Sequence, residues 1–246
     1  MGDWRPAGLR FAFLIEPPFC YRTQDGAVTG CDVELARHIA QQIGADAFEL
    51  VETEFAELLP GLIDGSWHMT TGLFVTEERR RLVDFSRPIW ALTDGLLVRA
   101  GNPDGVAGYA QIANAAGLRL GVVTGQVQHE TALQLGVPAE SIRTFDTYAQ
   151  AAAAVAAGRI DAYASVATAH RGYLAHLSDS GLAVVEVPQS GKAAEPGAFA
   201  FAKSGMCLRD AVDRTLADFL GSADHRALMA RFGLIPAAQS HSPGVP

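Results

Sequence analysis

Positive charge is scarce in this chain. Its 246 residues carry 19 lysines and arginines against 27 aspartates and glutamates, a formal net charge of -8. A nucleic-acid or anionic-membrane partner wants a basic stripe, so that class of function is excluded. Lysine is nearly absent, with only Lys192 and Lys203; together with abundant alanine this reads as composition bias and carries no chemistry. No apolar run approaches the ~20 residues needed to span a bilayer, and the start, MGDWRPAGLRF, lacks the charged-then-apolar pattern of a secretory signal. Either the chain is cytosolic or a signal has been removed. Cysteine is sparse too. Cys20, Cys31 and Cys207 show no metal spacing, and histidines such as His170 and His176 form no i, i+4 ligand pair, so neither a metal nor a cofactor is expected. Cys20 and Cys31 flank a predicted hairpin closed by Gln24-Asp25-Gly26. A disulfide in an oxidising compartment and two reduced, half-buried thiols are equal alternatives for them.

What is present is a core: 49% hydrophobic and 19% charged residues suit a soluble globular protein of one or two domains. The spacing predicts a strand at Leu9 to Ile15, stopped by Glu16-Pro17-Pro18, and a helix capped by Asp32 that runs to Ile43. A strand at Phe48 to Val51, a helix from Phe55 to Ile63 interrupted by Pro60, and a strand at Met69 to Leu73 follow. This β-α-β-α-β order is that of a parallel sheet with covering helices. Gly95 to Val98 reads as a fourth strand, and the glycine- and proline-rich break at 100–105 ends the unit.

Beyond the break the grammar restarts, with strands at Leu118 to Val123, Ile142 to Phe145, Ile160 to Ala164 and Leu182 to Val187 alternating with helices. A second break at 188–197 precedes a strand at Ala198 to Ala202 and two last helices. The expectation is an α/β protein of two lobes with two mixed sheets: residues 1–98 and 198–246 form a discontinuous lobe 1 and 99–197 lobe 2, with 236–246 a disordered tail. Ligands of open α/β sheets bind beyond the carboxyl ends of strands. The loops at Glu16 to Cys20, Phe74 to Arg79 and Thr124 to Val127 should therefore converge on one interlobe cleft.

Within FVTEERRRLVDFS, residues 74–86, Thr76 occupies an N-cap position and Glu77 and Glu78 fall in the first helical turn. Arg79 then breaks the local charge rule. A guanidinium there can grip a ligand carboxylate through a planar two-point fork, whereas three consecutive arginines in isolation would be a solvated charge run.

The marks Pro18-Phe19 before a hairpin, Gly30-Cys31-Asp32-Val33, Leu59-Pro60-Gly61-Leu62 with Gly65, Thr76-Glu77-Glu78-Arg79 followed by Val83-Asp84-Phe85-Ser86, and Gly158-Arg159-Ile160-Asp161-Ala162 stand in order along nearly the whole chain. Together they resemble the family 3 extracellular solute-binding proteins of ABC importers. That resemblance implies the two-lobed type II periplasmic-binding fold, a periplasmic or extracellular monomer, an ABC permease as membrane partner, and no catalysis. It also implies that Arg79 grips a ligand carboxylate. Three departures bear on the ligand: Phe74 stands where the family has a hydroxyl residue, Val127 where it has a second-lobe threonine, and Val166 where it has the aspartate that takes an α-amino group. An α-ammonium has three donors to satisfy, and this pocket would leave it undercompensated.

Phe19, Phe55 and Phe74 with Glu16 are similar instead to the subgroup that binds the compatible solutes ectoine and hydroxyectoine. There, aromatic faces surround a cyclic amidinium and an acid pairs with its N–H groups. The implied ligand is a small zwitterion with Arg79 on its carboxylate and Glu16 on its cation. Betaines, a standard or modified amino acid, an enzyme of the cyclohexadienyl dehydratase kind with Glu16 as general acid, and an excised sensor domain are the competing readings. Asp161 is expected to be structural and His129 solvated.

Overall fold

The computed structural model describes residues 8–188 and 193–234; the expected tail at 236–246 lies outside them. In the first lobe the strand Leu9–Phe13 is the centre of a parallel sheet, flanked by Phe48–Glu52 and Met69–Thr70. Leu9, Phe11 and Phe13 are buried, and the helix Cys31–Gln42 turns Val33, Leu35, Ala36, Ile39 and Ala40 inward. The C-terminal helices Met206–Phe219 and Ala223–Arg231 return to pack on it.

The expected strand at Met69 to Leu73 divides. After Thr70 the chain leaves the parallel sheet, and Leu73–Phe74 pairs antiparallel with Glu195–Ala198, which also pairs with Trp90–Leu92. Pro60 does not interrupt its helix. It lies in the first turn of Leu58–Ile63, after a 3-10 turn at Phe55–Glu57, where its missing N–H removes no helical bond.

The second lobe holds a mixed sheet in the order Ile142–Phe145, Leu120–Val123, Ala162–Val166, Asp94–Arg99, Leu182–Glu186. Its first three strands run parallel, while Asp94–Arg99 is antiparallel to both of its neighbours. This corrects the expected boundaries in two places. The strand at 94–99, assigned above to lobe 1, belongs to the second sheet, and Glu195–Ala198 is already part of the first lobe. An apolar run fixes the type of an element but not the partner it pairs with. The first crossing between lobes therefore precedes the break at 100–105, and the second, between Glu186 and Glu195, falls within the break at 188–197.

Asp32 is not a cap. Gly30, at φ 133°, holds that place without any side-chain bond, and Asp32 is buried in the first turn. Asp161 is structural as expected: its Oδ2 accepts from the Arg119 backbone N–H at 2.8 Å and its Oδ1 from the Arg119 guanidinium at 3.0 Å. Cys20 and Cys31 are free thiols, so the disulfide alternative is not the one the structure takes. Both are buried, with Cys20 Sγ 3.3 Å from Thr71 Oγ1 and Cys31 Sγ 3.6 Å from Asp32 Oδ1. Burial, aided by the Asp32 charge, pushes both thiols well above the ordinary range, and such thiols are inert. A thiol-specific chromophore should thus titrate only the exposed Cys207 in the native protein. Unfolding without reductant should release two more thiols; finding only Cys207 in the unfolded chain would show a disulfide.

Candidate functional site

The helix Glu77–Leu82 is short, and its entry is fixed by Thr76, whose Oγ1 accepts from the Arg79 N–H at 3.2 Å. This turns Arg79 inward while its neighbours point out. Arg79 is 7% exposed, whereas Arg81 sits in solvent beside Glu77. The Arg79 guanidinium donates from Nη1 to the Phe74 carbonyl at 2.9 Å and from Nη2 to the Gly125 carbonyl of the second lobe, also at 2.9 Å. The Phe55 ring lies against it, 5.6 Å from Cζ to centroid. No carboxylate forms an ion pair with it among the described residues. Burial accordingly pushes its pKa down to about 10, against the pull of Glu78 and Glu195. A planar cation so placed, with donors unused, is built to receive an anion.

Glu16 faces it from the loop after the first strand. Its Oε1 accepts from Ser165 Oγ at 3.2 Å and from Gln126 Nε2 at 3.4 Å, both in the second lobe. Burial pushes the Glu16 carboxyl up to about 7, the two hydrogen bonds opposing the rise and the Asp32 charge adding to it. The site thus has a fixed cation and a carboxylate that titrates near neutrality. Each also bridges the lobes.

The walls between them are aromatic. Phe19 and Phe74 pack on Trp90, with ring centroids 5.7 and 5.5 Å away. The indole fits a slot made by two glycines: a Cβ on Gly72 or Gly197 would fall 2.6 or 1.9 Å from its ring atoms. Asp32 holds the slot shut. Its carboxylate accepts from Thr71 Oγ1 and the Gly72 N–H, both at 2.8 Å, and from Trp90 Nε1 at 3.2 Å. Burial raises the Asp32 carboxyl, and these three donors work against that rise.

All six residues singled out in the sequence, Glu16, Phe19, Phe55, Phe74, Arg79 and Val127, line one cleft of about 470 Å³ counted to its open mouth. Val166, expected at the family's aspartate position, lines it as well. Sequence reasoning overlooked Trp90, Gln126 and Ser165. A lone serine in the buried run Ala162–Val166 must find a partner, and an indole N–H in a core must too. Those were the available signals. His129 is exposed and takes no part. Among the described residues no cluster of histidine, cysteine or carboxylate could hold a metal, and no helix is long and apolar enough to cross a membrane.

This arrangement can be set beside known proteins. Residues 9–234 match the bacterial extracellular solute-binding proteins, family 3. The chain belongs to that family. It is a substrate-binding protein of the amino-acid ABC-transporter type. This family 3 protein is 31% identical over 239 residues to a probable amino-acid ABC transporter periplasmic-binding protein of Sinorhizobium fredii, covering 93% of this chain and 77% of that one. In fold it is similar to EhuB in complex with hydroxyectoine, at TM-score 0.84 and 28% identity over 94% of this chain and 90% of that chain. It is also similar to an ancestral amino acid-binding protein described as a precursor of cyclohexadienyl dehydratase, at TM-score 0.81 and 27% identity over 93% and 97% of the two chains. The α/β, two-lobed type II periplasmic-binding fold is shared with both.

The contrast between Arg79 and Arg81 gives a test. Arg79→Ala should weaken solute binding on the order of 100-fold or more, since it removes a buried two-point anion contact. Arg81→Ala should change it by less than about twofold, because an exposed i, i+4 pair contributes little. Calorimetric titration of the two variants distinguishes them, and equal small losses would show that the anion clamp is elsewhere.

Proposed function

We propose that this receptor closes around a small zwitterion with a delocalised or alkylated cation, of the ectoine and hydroxyectoine type, and delivers it to an ABC permease. Arg79 takes the carboxylate and Glu16 the cation. The observation that carries the reading is the single carboxylate Glu16 set among Phe19, Phe74 and Trp90, with Val166 apolar beside it. A diffuse cation with few N–H donors gains ~0.5–2 kcal/mol from each desolvated aromatic face, and needs no second carboxylate. A primary α-ammonium has three donors, and beside Glu16 and the Gln126 Oε1 it would find no second carboxylate among the described lining residues. The likeness to EhuB in complex with hydroxyectoine supports the same class. Membership in an extracellular solute-binding family supports a periplasmic or extracellular site of action. Binding as a monomer is part of the proposal.

The titration of Glu16 near neutrality and the likeness to a dehydratase precursor favour an enzyme as the second reading. General acid catalysis wants a partner base, and the lining residues offer only Cys20 and Arg79 as further titratable groups. A receptor accounts for the same residues without one.

Titration with ectoine, hydroxyectoine, glycine betaine and a panel of amino acids tests the ligand class. Heat is expected with the first two, and none with any of them would contradict it. The pH dependence has a definite sign. Only ionised Glu16 attracts the cation, and burial raises its carboxyl to about 7. Affinity should thus be greatest above pH 7 and fall by about tenfold per unit below it, as protonation competes. Glu16→Gln should abolish the slope. The variant should also raise the unfolding midpoint of ligand-free protein at pH 8. A carboxyl whose folded pKa is raised loses stability as pH climbs from its unfolded value through about 7, and glutamine escapes that loss.

A further inference from the structure

The helix Ala167–Ala175 carries a glycine where the helix by itself would prefer alanine. Gly172 lies in its interior and is not among the residues of positive φ, so no backbone conformation demands it. An interior glycine destabilises a helix relative to alanine. A close approach accounts for it. A Cβ on Gly172 would fall 2.5 Å from the carbonyl C and O of Pro17 and 2.5 Å from the Pro18 N. These are backbone atoms and cannot rotate aside. They also belong to the loop that carries Glu16 and Phe19.

Both sides of this contact are anchored in their own lobes. The helix is tied to the second sheet by Ala167 N–H donating to Thr93 O at 3.0 Å and by His170 Nε2–H donating to Gly95 O at 3.1 Å. His170 is itself held by the Tyr148 hydroxyl at 2.6 Å from Nδ1. The loop is tied to the first lobe by Cys31 N–H donating to Pro18 O at 2.9 Å and Asp32 N–H donating to Phe19 O at 3.1 Å. The seam continues outward, where the Tyr21 ring meets His176 edge-on at 4.6 Å. His176 Nδ1 in turn lies 2.8 Å from the Gly172 carbonyl.

We propose that Gly172 is the positioning residue that sets how far the lobes close. Its bare Cα lets the helix seat directly on the Pro17-Pro18 backbone, and only at that separation does Ser165, in the strand Ala162–Val166 that leads into the helix, reach Glu16 Oε1 at 3.2 Å. A methyl group holds the seam apart and leaves the cleft without its closed form. The inference rests on the two-lobed fold and is independent of which solute is bound.

Gly172→Ala and Gly172→Leu in the full chain test it by three measurements. Small-angle scattering in the presence of saturating solute should give a larger radius of gyration for both variants than for the parent, with leucine the larger. The dissociation constant for hydroxyectoine should rise about tenfold or more, as the closed fraction falls. The thermal midpoint of Gly172→Ala should equal or exceed the parent's, because alanine favours the helix; a merely structural glycine would lose stability and affinity together. An unchanged radius of gyration, an affinity within threefold of the parent's, or a midpoint lowered in step with affinity would overturn the proposal. If hydroxyectoine does not contract the parent, the ligand class has failed and the comparison is made with the solute that the parent carries through purification, so failure of the ligand class and failure of the closure role are separable.

Discussion

A guanidinium taken out of water with no ion-pair partner among the described residues constrains everything around it. Arg79 is buried against the Phe55 ring and two backbone carbonyls, one from each lobe, and its pKa is depressed to about 10 as a result. Backbone carbonyls satisfy donors but do not neutralise charge, and removing the partner of a buried charge typically costs a few kcal/mol. The site is therefore poised for an anion. Gly125 contributes one of the two carbonyls, so the cation that takes the carboxylate in the proposed reading also contacts the second lobe.

Glu16 is the counterpart at the other end. Its contacts also come from the second lobe, through Ser165 and Gln126, and burial brings its carboxyl to about 7. In the proposed reading a cation restores the charged form that burial opposes. Two opposite charges, each uncomfortable alone, then share one zwitterion. The aromatic walls add to this without supplying hydrogen-bond acceptors, so the polarity of the cleft is concentrated at its two ends. Asp32 keeps those walls in register by joining Thr71, Gly72 and Trp90, and it does so from beneath the cleft.

Much of this was legible in the sequence, and the parts that were not share one cause. Arg79 could be read because its signals are local: Thr76 three residues before it, and a run of acids between. The strand-loop positions of Glu16, Phe19, Phe74 and Val127 follow from counting strands. Asp94–Arg99 was given to the wrong lobe because its partners, Ala162–Val166 and Leu182–Glu186, are distant in the chain and pairing leaves no local mark. Asp32 looked like a cap because an acid before an amphipathic run usually is one; its real partner Thr71 is 39 residues away. Gln126, Ser165 and Gly172 acquire their roles only when the two lobes meet, and Trp90 only when Gly72 and Gly197 come together from distant parts of the first lobe. Periodicity describes how a segment buries one face, and says nothing about which segment arrives opposite.

The family is fixed by residues spread over nearly the whole chain, while in the proposed reading the ligand is decided by a handful at the cleft, among them Phe74, Val127 and Val166. The most direct measurement is mass-spectrometric identification of the solute that the protein carries through purification under native conditions, followed by its release on unfolding. The account predicts a small zwitterion with a carboxylate and a delocalised or N-alkylated cation. A standard α-amino acid with a primary ammonium group, or a solute with no cationic centre, would contradict it.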